Sequence, residues 1–152
     1  MWTEVVRSAP FNTSPDAMIE WCRSPDSRRL LRGSGQAWRA DNDLFYLLAL
    51  QAPGLEDAEL HVEEHLRDVE GLDVGLSFES DHRWLWPNGL YASAVTRYAV
   101  TPGSPNTLEL TLQYLLPGSA VNALLNQRRF QRTLERVCEH YVGALVDSLV
   151  SH

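Results

Sequence analysis

The sequence predicts one α+β domain, residues 1–152, in which a curved antiparallel sheet of seven strands surrounds a long C-terminal helix. Turn-forming residues divide the region between Gly35 and Gly118 into short segments typical of strands. The last of these segments alternates apolar and polar side chains, whereas the region after it repeats apolar residues at steps of three and four. A chain of 152 residues is long enough for a single core.

The N-terminal region predicts a strand followed by two short helices. Residues 2–8 are β-prone, and Pro10 is expected to end the strand. Residues 12–16 then combine a hydroxyl cap, a proline and a carboxylate, which is typical of a helix start. Residues 24–26, Ser-Pro-Asp, repeat that signal, so a second helix is expected to carry Leu30 and Leu31 before Gly33.

Six strands fit between residues 35 and 118. Turn residues stand at 41–43, 53–54, 71, 87–89 and 102–105. The clearest strand runs from Thr107 to Leu116, where the apolar residues alternate with threonine, glutamate and glutamine. That pattern predicts one buried and one solvated face.

The C-terminal region predicts one continuous helix over about 120–148, which Ser119 can cap. At ~1.5 Å per residue a helix of this length would span the domain. We expect one side of it to face the sheet, formed by Phe130, Leu134, Cys138, Tyr141 and Leu145.

Residues 55–69 fit either a strand or a helix. Leu60, Val62 and Leu66 share one face of a strand, whereas the composition favours a helix. We favour the strand, because the turn residues on both sides bound it like its neighbours.

The order of a strand, two short helices, six strands and a long amphipathic helix resembles the START-like, polyketide cyclase/dehydrase superfamily, also called SRPBCC, with its helix-grip fold. The matching pattern lies at residues 13–17, at 24–26, at the turn from Tyr98 to Gly103 before Thr107 to Tyr114, and at 116–118. The resemblance covers essentially the whole chain and implies a cavity between sheet and helix for an apolar molecule. It carries over no catalytic residue, because that superfamily shares no invariant catalytic set.

Three inward-facing residues are candidate catalytic groups: Glu64, Tyr46 and Tyr114. On a strand, Glu64 shares the face of Leu60 and Val62, where burial would raise its pKa and suit it to acid–base work. The more ordinary alternatives, which we favour, are an arginine partner or a surface position on a helix. The tyrosine hydroxyls either orient a ligand or pack as core with backbone partners. At least two of the three are expected to face one shared cavity.

The candidate ligand-binding residues are mostly aromatic: Trp38, Phe78, Trp84, Arg97, Phe130, Leu134 and Tyr141. The aromatic residues either form a stacking wall or serve as core. The alternation around Arg97 permits both phases of its strand. An inward Arg97 would bind an anion or enolate, whereas an outward one would pair with a carboxylate such as Glu109.

The segment His61-Val62-Glu63-Glu64-His65 matches the H-x-x-E-H pattern of inverted zinc proteases. That pattern requires a helix, whereas a strand would turn His61, Glu63 and His65 outward as a solvated row. We therefore predict no metal and no cofactor. His82 is a possible proton shuttle, although a surface histidine is the favoured interpretation.

Composition excludes several classes of function. The net charge of −7 disfavours nucleic acid, and no apolar stretch is long enough for a membrane helix. With no secretory signal, we expect a cytoplasmic protein in which Cys22 and Cys138 form no disulfide. All 13 basic residues are arginine, which indicates a GC-rich, actinobacterium-like bacterial genome.

The leading hypothesis is a protein that binds an apolar small molecule, for example a polyketide or related secondary metabolite, and that cyclises or dehydrates it. The alternative is a carrier or sequestration protein for a hydrophobic ligand. A partner-binding module stays open, because the sequence does not predict the oligomeric state.

Overall fold

The computed structural model describes residues 2–31, 37–50, 58–67, 76–86, 91–115 and 123–150. They form a seven-stranded, curved antiparallel sheet with two short helices after the first strand and a long C-terminal helix, which confirms the predicted fold class. The strands are β1 Thr3–Phe11, β2 Ala37–Ala40, β3 Asp43–Leu50, β4 Ala58–Leu66, β5 Ser77–Leu85, β6 Tyr91–Thr101 and β7 Asn106–Leu115. The helices are α1 Pro15–Arg23, α2 Pro25–Arg28 and α3 Ala123–Val150.

The strand order is β1-β7-β6-β5-β4-β3-β2, so that β2 to β7 form a meander and β1 adds beside β7. The expectation that Pro10 ends β1 is wrong, because β1 continues to Phe11 and Pro10 lies opposite Thr107. The position of β1 explains this, since an edge strand tolerates a residue without a backbone N–H.

The two short helices begin where the hydroxyl and proline signals predict. Ser14 caps α1 by accepting a hydrogen bond from the Ala17 amide, and Ser24 caps α2. The second helix is shorter than predicted, however. It ends at Arg28, so that Leu30 and Leu31 follow it and pack, partly buried, against the core.

Two ambiguous segments of the sheet are settled by burial. Ala58–Leu66 is a strand, as predicted, with Leu60, Val62 and Glu64 buried on its inward face. In β6 the inward residues are Ala92, Ala94, Thr96, Tyr98 and Val100.

Helix α3 is continuous, as predicted, and its residues Phe130, Leu134, Cys138, Tyr141 and Leu145 are all buried. Its most extensive contacts are with β1, β7 and α1, whereas α1 contacts β6 and α2 contacts β2 and β3. All three helices therefore cover the inward face of the sheet together.

Some expectations fall on residues outside the described ranges: the turns at 53–54, 71 and 87–89, and the 116–119 region with its Ser119 cap. Cys22 and Cys138 are buried and free, as predicted. Within the described part of the chain, no helix is long and apolar enough to cross a membrane.

Candidate functional site

A group of hydrogen-bonded polar side chains is buried on the inward face of the sheet, and we call it the polar cluster. It consists of Arg28, Tyr46, Glu64, Ser80, His82, Thr96 and Tyr141. The strands β3 to β6 supply five of these residues, whereas α2 supplies Arg28 and α3 supplies Tyr141. Side chains from distant parts of the chain thus meet at one place.

Arg28 and Glu64 form the centre of the polar cluster. Arg28 Nε donates to Glu64 Oε2 at 2.8 Å, and Nη2 donates to Oε1 at 2.7 Å. Both side chains have no solvent exposure. This parallel two-bond geometry matches the shapes of a guanidinium and a carboxylate, so the pair is held in one orientation.

The other side of the Arg28 guanidinium binds the two short helices and α3. Its Nη1 donates to the Cys22 carbonyl at 2.5 Å, to Ser27 Oγ at 2.8 Å and to Tyr141 Oη at 3.1 Å. The Cys22 carbonyl lies in the last turn of α1, where helix carbonyls lack partners within the helix. The cation also lies 5.1 Å from the centre of the Tyr98 ring.

Glu64 is an ionised carboxylate. Burial alone would raise its pKa, but the charge of Arg28, with hydrogen bonds from Arg28 and Ser80, holds the pKa well below its ordinary value. The expectation of a raised pKa is therefore wrong, and the alternative of an arginine partner is confirmed. A carboxylate held in this way has no proton to donate near neutral pH and is a poor base.

Tyr46 points inward, as predicted, and its hydroxyl donates to Glu64 Oε2 at 2.9 Å. Its partner is thus a side chain, not the backbone. Burial, followed by the charge of Glu64, raises the pKa of Tyr46 well above its ordinary value, so the phenol stays neutral. Of the three candidate catalytic residues, Glu64 and Tyr46 are in direct contact.

A chain of hydrogen bonds extends from Glu64 to His82. Ser80 Oγ donates to Glu64 Oε1 at 2.7 Å and lies 2.7 Å from Thr96 Oγ1. His82 Nε2 lies 2.9 Å from Thr96 Oγ1, 3.2 Å from Ser80 Oγ and 3.7 Å from Glu64 Oε1. Among the described residues, the buried Nδ1 of His82 has no hydrogen-bond partner.

The favoured interpretation of His82 as a surface residue at a strand end is wrong. It lies inside β5 and is only 8% exposed. Burial lowers its pKa, so the imidazole is neutral at pH 7. One signal could have revealed this, because Phe78 and Trp84 share its parity along the strand and are the residues expected to point inward.

Four aromatic rings lie next to the polar cluster, and we call them the aromatic cluster: Trp84, Trp86, Tyr114 and Phe130. The ring centres of Trp84 and Tyr114 are 6.0 Å apart, and those of Tyr114 and Phe130 are 5.6 Å apart. Ala92 and Ala94 lie opposite Trp84 and Tyr114 in the sheet, and their small side chains leave room for the rings. Trp86 is only partly buried.

The third candidate catalytic residue, Tyr114, therefore belongs to the aromatic cluster, away from the contact between Glu64 and Tyr46. It is 2% exposed, and burial raises the pKa of its phenol. Five predicted ligand-binding residues also lie in the interior, among them Trp84 and Phe130 in the aromatic cluster and Tyr141 in the polar cluster. The other two are Phe78, which stacks on Tyr98 with ring centres 4.7 Å apart, and Leu134, which is buried on the inner side of α3.

Two predicted ligand-binding residues lie on the opposite face of the sheet. Trp38 is 57% exposed and stacks on Phe45, so it forms no part of an interior wall. Arg97 is exposed and lies opposite Glu79 and Thr111, not Glu109. Both residues have the outward parity of their strands, which the sequence alone left open for Arg97.

The H-x-x-E-H segment lies on β4, and His61, Glu63 and His65 are exposed on its outer face. His65 Nδ1 lies 2.6 Å from Asp43 Oδ1. The outward row expected for a strand is thus confirmed. In the described ranges, no group of three or more histidine, cysteine or acidic side chains could hold a metal ion.

No protein-family model matches the sequence, and no curated protein matches it either. Solved structures do match. A protein of Thermus thermophilus aligns over 98% of both chains with a TM-score of 0.69 and 15% identity. The ZhuI aromatase/cyclase of Streptomyces sp. R1128 covers 97% of this chain and 93% of its own, with a TM-score of 0.67 and 11% identity.

The chain has the same overall fold as these solved structures. The di-domain aromatase/cyclase StfQ of the steffimycin biosynthetic pathway shares it, with a TM-score of 0.66 and 12% identity, and this chain spans 53% of that protein. At such identities the likeness establishes the fold alone. The chemistry of this chain must be argued from its own interior.

Proposed function

We propose that this protein binds an apolar, ring-bearing small molecule of the polyketide kind between the sheet and α3. The aromatic cluster carries the proposal. Trp84, Tyr114 and Phe130 present flat, largely apolar surfaces with ring centres 5.6 to 6.3 Å apart, and the ring centre of the partly buried Trp86 lies 6.2 Å from that of Phe130. Flat rings favour stacked or edge-on contact with other flat rings.

The fold supports the same proposal. The solved structures with the SRPBCC fold include two proteins named as aromatase/cyclases, one of them from a named biosynthetic pathway. Polyketide aromatic products and their precursors are large, apolar and oxygenated. An interior that places aromatic rings beside hydrogen-bonding groups offers a complement to both properties.

Binding is favoured over catalysis by the state of Glu64. A cyclase or dehydrase needs a group that gains or loses a proton near neutral pH. Arg28 holds Glu64 as a carboxylate, with Tyr46 and Ser80 donating to the same group. Cyclisation or dehydration is the second candidate function, and it would require a proton acceptor other than Glu64.

The test is calorimetric titration of the full chain with 2-methoxynaphthalene, an apolar two-ring probe. We expect saturable binding, weakened roughly 10-fold in Trp86→Ala because a stacking surface is lost. Trp38→Ala is the matched control, since Trp38 lies on the outer face, and it should bind like the wild type. Absence of binding, or equal weakening in both variants, would contradict the proposal.

A further inference from the structure

His82 carries a buried polar atom that the proposed function leaves unused. The residue is 8% exposed, and its Nδ1 is buried without a hydrogen-bond partner in the described residues. A buried polar atom without a partner is uncommon, because its desolvation is not compensated. Its surroundings therefore indicate what kind of partner it would accept.

The neighbours of His82 determine which ring nitrogen carries the hydrogen. Glu64 is a carboxylate and only accepts, so Ser80 must donate its hydroxyl proton to Glu64 Oε1. The Ser80 oxygen is then an acceptor, and Thr96 can donate to it. Thr96 in turn accepts from His82 when Nε2 carries the hydrogen, and the Ser80 oxygen, 3.2 Å from Nε2, can share it.

The opposite tautomer satisfies fewer groups. With the hydrogen on Nδ1, Nε2 would take the Thr96 proton, and the Ser80 oxygen would lose that donor. The Nδ1–H would also be a buried donor without a partner, which is rarer in proteins than an under-used acceptor. The chain from Glu64 through Ser80 and Thr96 thus favours hydrogen on Nε2 and a bare lone pair on Nδ1.

The position of His82 in the sheet places it next to the aromatic cluster. His82 and Trp84 are two positions apart on the inward face of β5, with ring centres 6.5 Å apart. Across the sheet, His82 lies opposite Ala94, which in turn lies opposite Tyr114 of the aromatic cluster. His82 therefore stands where the polar and aromatic clusters meet.

We propose that His82 Nδ1 accepts a hydrogen bond from a hydroxyl group, phenolic or enolic, of the molecule bound against the aromatic cluster. This proposal rests on the proposed function and adds a chemical requirement to it. The ligand is a ring compound with a hydroxyl donor, and Ser80 and Thr96 act as positioning residues for the imidazole. The lowered pKa of His82, caused by burial, agrees with a neutral acceptor.

The test compares two probes that differ in the donor alone, 2-naphthol and 2-methoxynaphthalene, by calorimetric titration. The wild type should bind 2-naphthol about 3- to 10-fold more tightly, the effect of one neutral hydrogen bond. His82→Leu should lose that preference and keep its affinity for 2-methoxynaphthalene. The same substitution at the exposed His61, on the outer face of β4, should leave both affinities unchanged.

A second measurement does not depend on a variant. Nitrogen NMR of the free wild-type protein should show a protonated Nε2 and a bare Nδ1 for His82, and 2-naphthol should shift the Nδ1 signal. Equal binding of both probes, or a protonated Nδ1, would overturn this inference while leaving the proposed function intact. Failure of both probes to bind would contradict the proposed function and this inference with it.

Discussion

The polar cluster and the aromatic cluster meet on β5, where His82 and Trp84 occupy successive inward positions. On one side of that boundary, hydrogen bonds of 2.7 to 2.9 Å fix each carboxylate oxygen of Glu64. On the other side, ring centres lie 5.6 to 6.3 Å apart and the contacts are mainly apolar. The same sheet face thus carries two kinds of packing.

The two clusters should respond differently to substitution. Removing one member of a buried ion pair leaves a charge without compensation, and this penalty is large whatever the volume of the new side chain. Aromatic and aliphatic contacts depend on volume and shape instead, so apolar replacements of similar size lower the free energy of unfolding only slightly. The stability of the polar cluster therefore depends on particular charged and hydrogen-bonding atoms, whereas that of the aromatic cluster depends on the volume and shape of its side chains.

The largest effect is expected from Glu64→Gln, which leaves the Arg28 cation buried without its carboxylate. We expect the free energy of unfolding to fall by about 3–5 kcal/mol. Equilibrium unfolding in denaturant measures this change in the free energy of unfolding. The double variant Arg28→Met with Glu64→Gln removes both charges and should lose less stability than Glu64→Gln alone. A loss below about 1 kcal/mol in Glu64→Gln would contradict the importance of the ion pair.

A smaller effect separates two of the buried tyrosines, Tyr46 and Tyr114. Tyr46→Phe removes a hydrogen bond to a charged group and should lower the free energy of unfolding by about 1.5–3 kcal/mol. Tyr114→Phe keeps the ring in the aromatic cluster and should lose at most about 1.5 kcal/mol. Equal decreases in the free energy of unfolding in the two variants would contradict the distinction between the clusters.

The smallest effect concerns mild acid. Burial lowers the pKa of His82, so the unfolded chain binds a proton more readily than the folded chain below pH 6.5. Stability should therefore fall as the pH drops through this range, by at most about 1.4 kcal/mol per pH unit. The groups that act on His82 are Glu64, Arg28 and Asp81.

Unfolding measured at pH 7.5, 6.5 and 5.5 tests this, with His82→Gln as the control. The variant should show a flatter dependence on pH over this interval. Below about pH 4.5, Glu64 should add to the loss, because its folded pKa is lowered and the unfolded carboxylate takes up protons first. Identical pH dependence in the wild type and His82→Gln would show that His82 does not titrate as proposed.

Alternation along single strands was enough to predict much of this fold and part of its interior. The inward phase of Glu64 followed from Leu60, Val62 and Leu66, and that of Tyr46 from Leu44 and Leu48. The regular spacing of α3 likewise predicted its buried side. These patterns are local, since each depends on residues within one element.

The partner of Glu64 could not be predicted in this way. Arg28 is 36 residues from Glu64, in a segment whose composition is typical of a solvated helix. Its burial depends on tertiary contacts, which the spacing of apolar residues along the sequence does not reveal. The phase of Arg97 was ambiguous for a different reason, because alanine, serine and threonine on both faces of β6 give little contrast between inside and outside.

The position of Arg28 bears on the order in which the chain folds. Its hydrogen bonds reach Glu64, 36 residues away, and Tyr141, 113 residues away. Until α2, β4 and α3 have all come together, the guanidinium is better solvated by water than by any partial set of partners. We therefore expect the cluster to form late, so that substitutions in it speed unfolding more than they slow folding. We therefore expect Arg28 to slow unfolding by holding α2, β4 and α3 together.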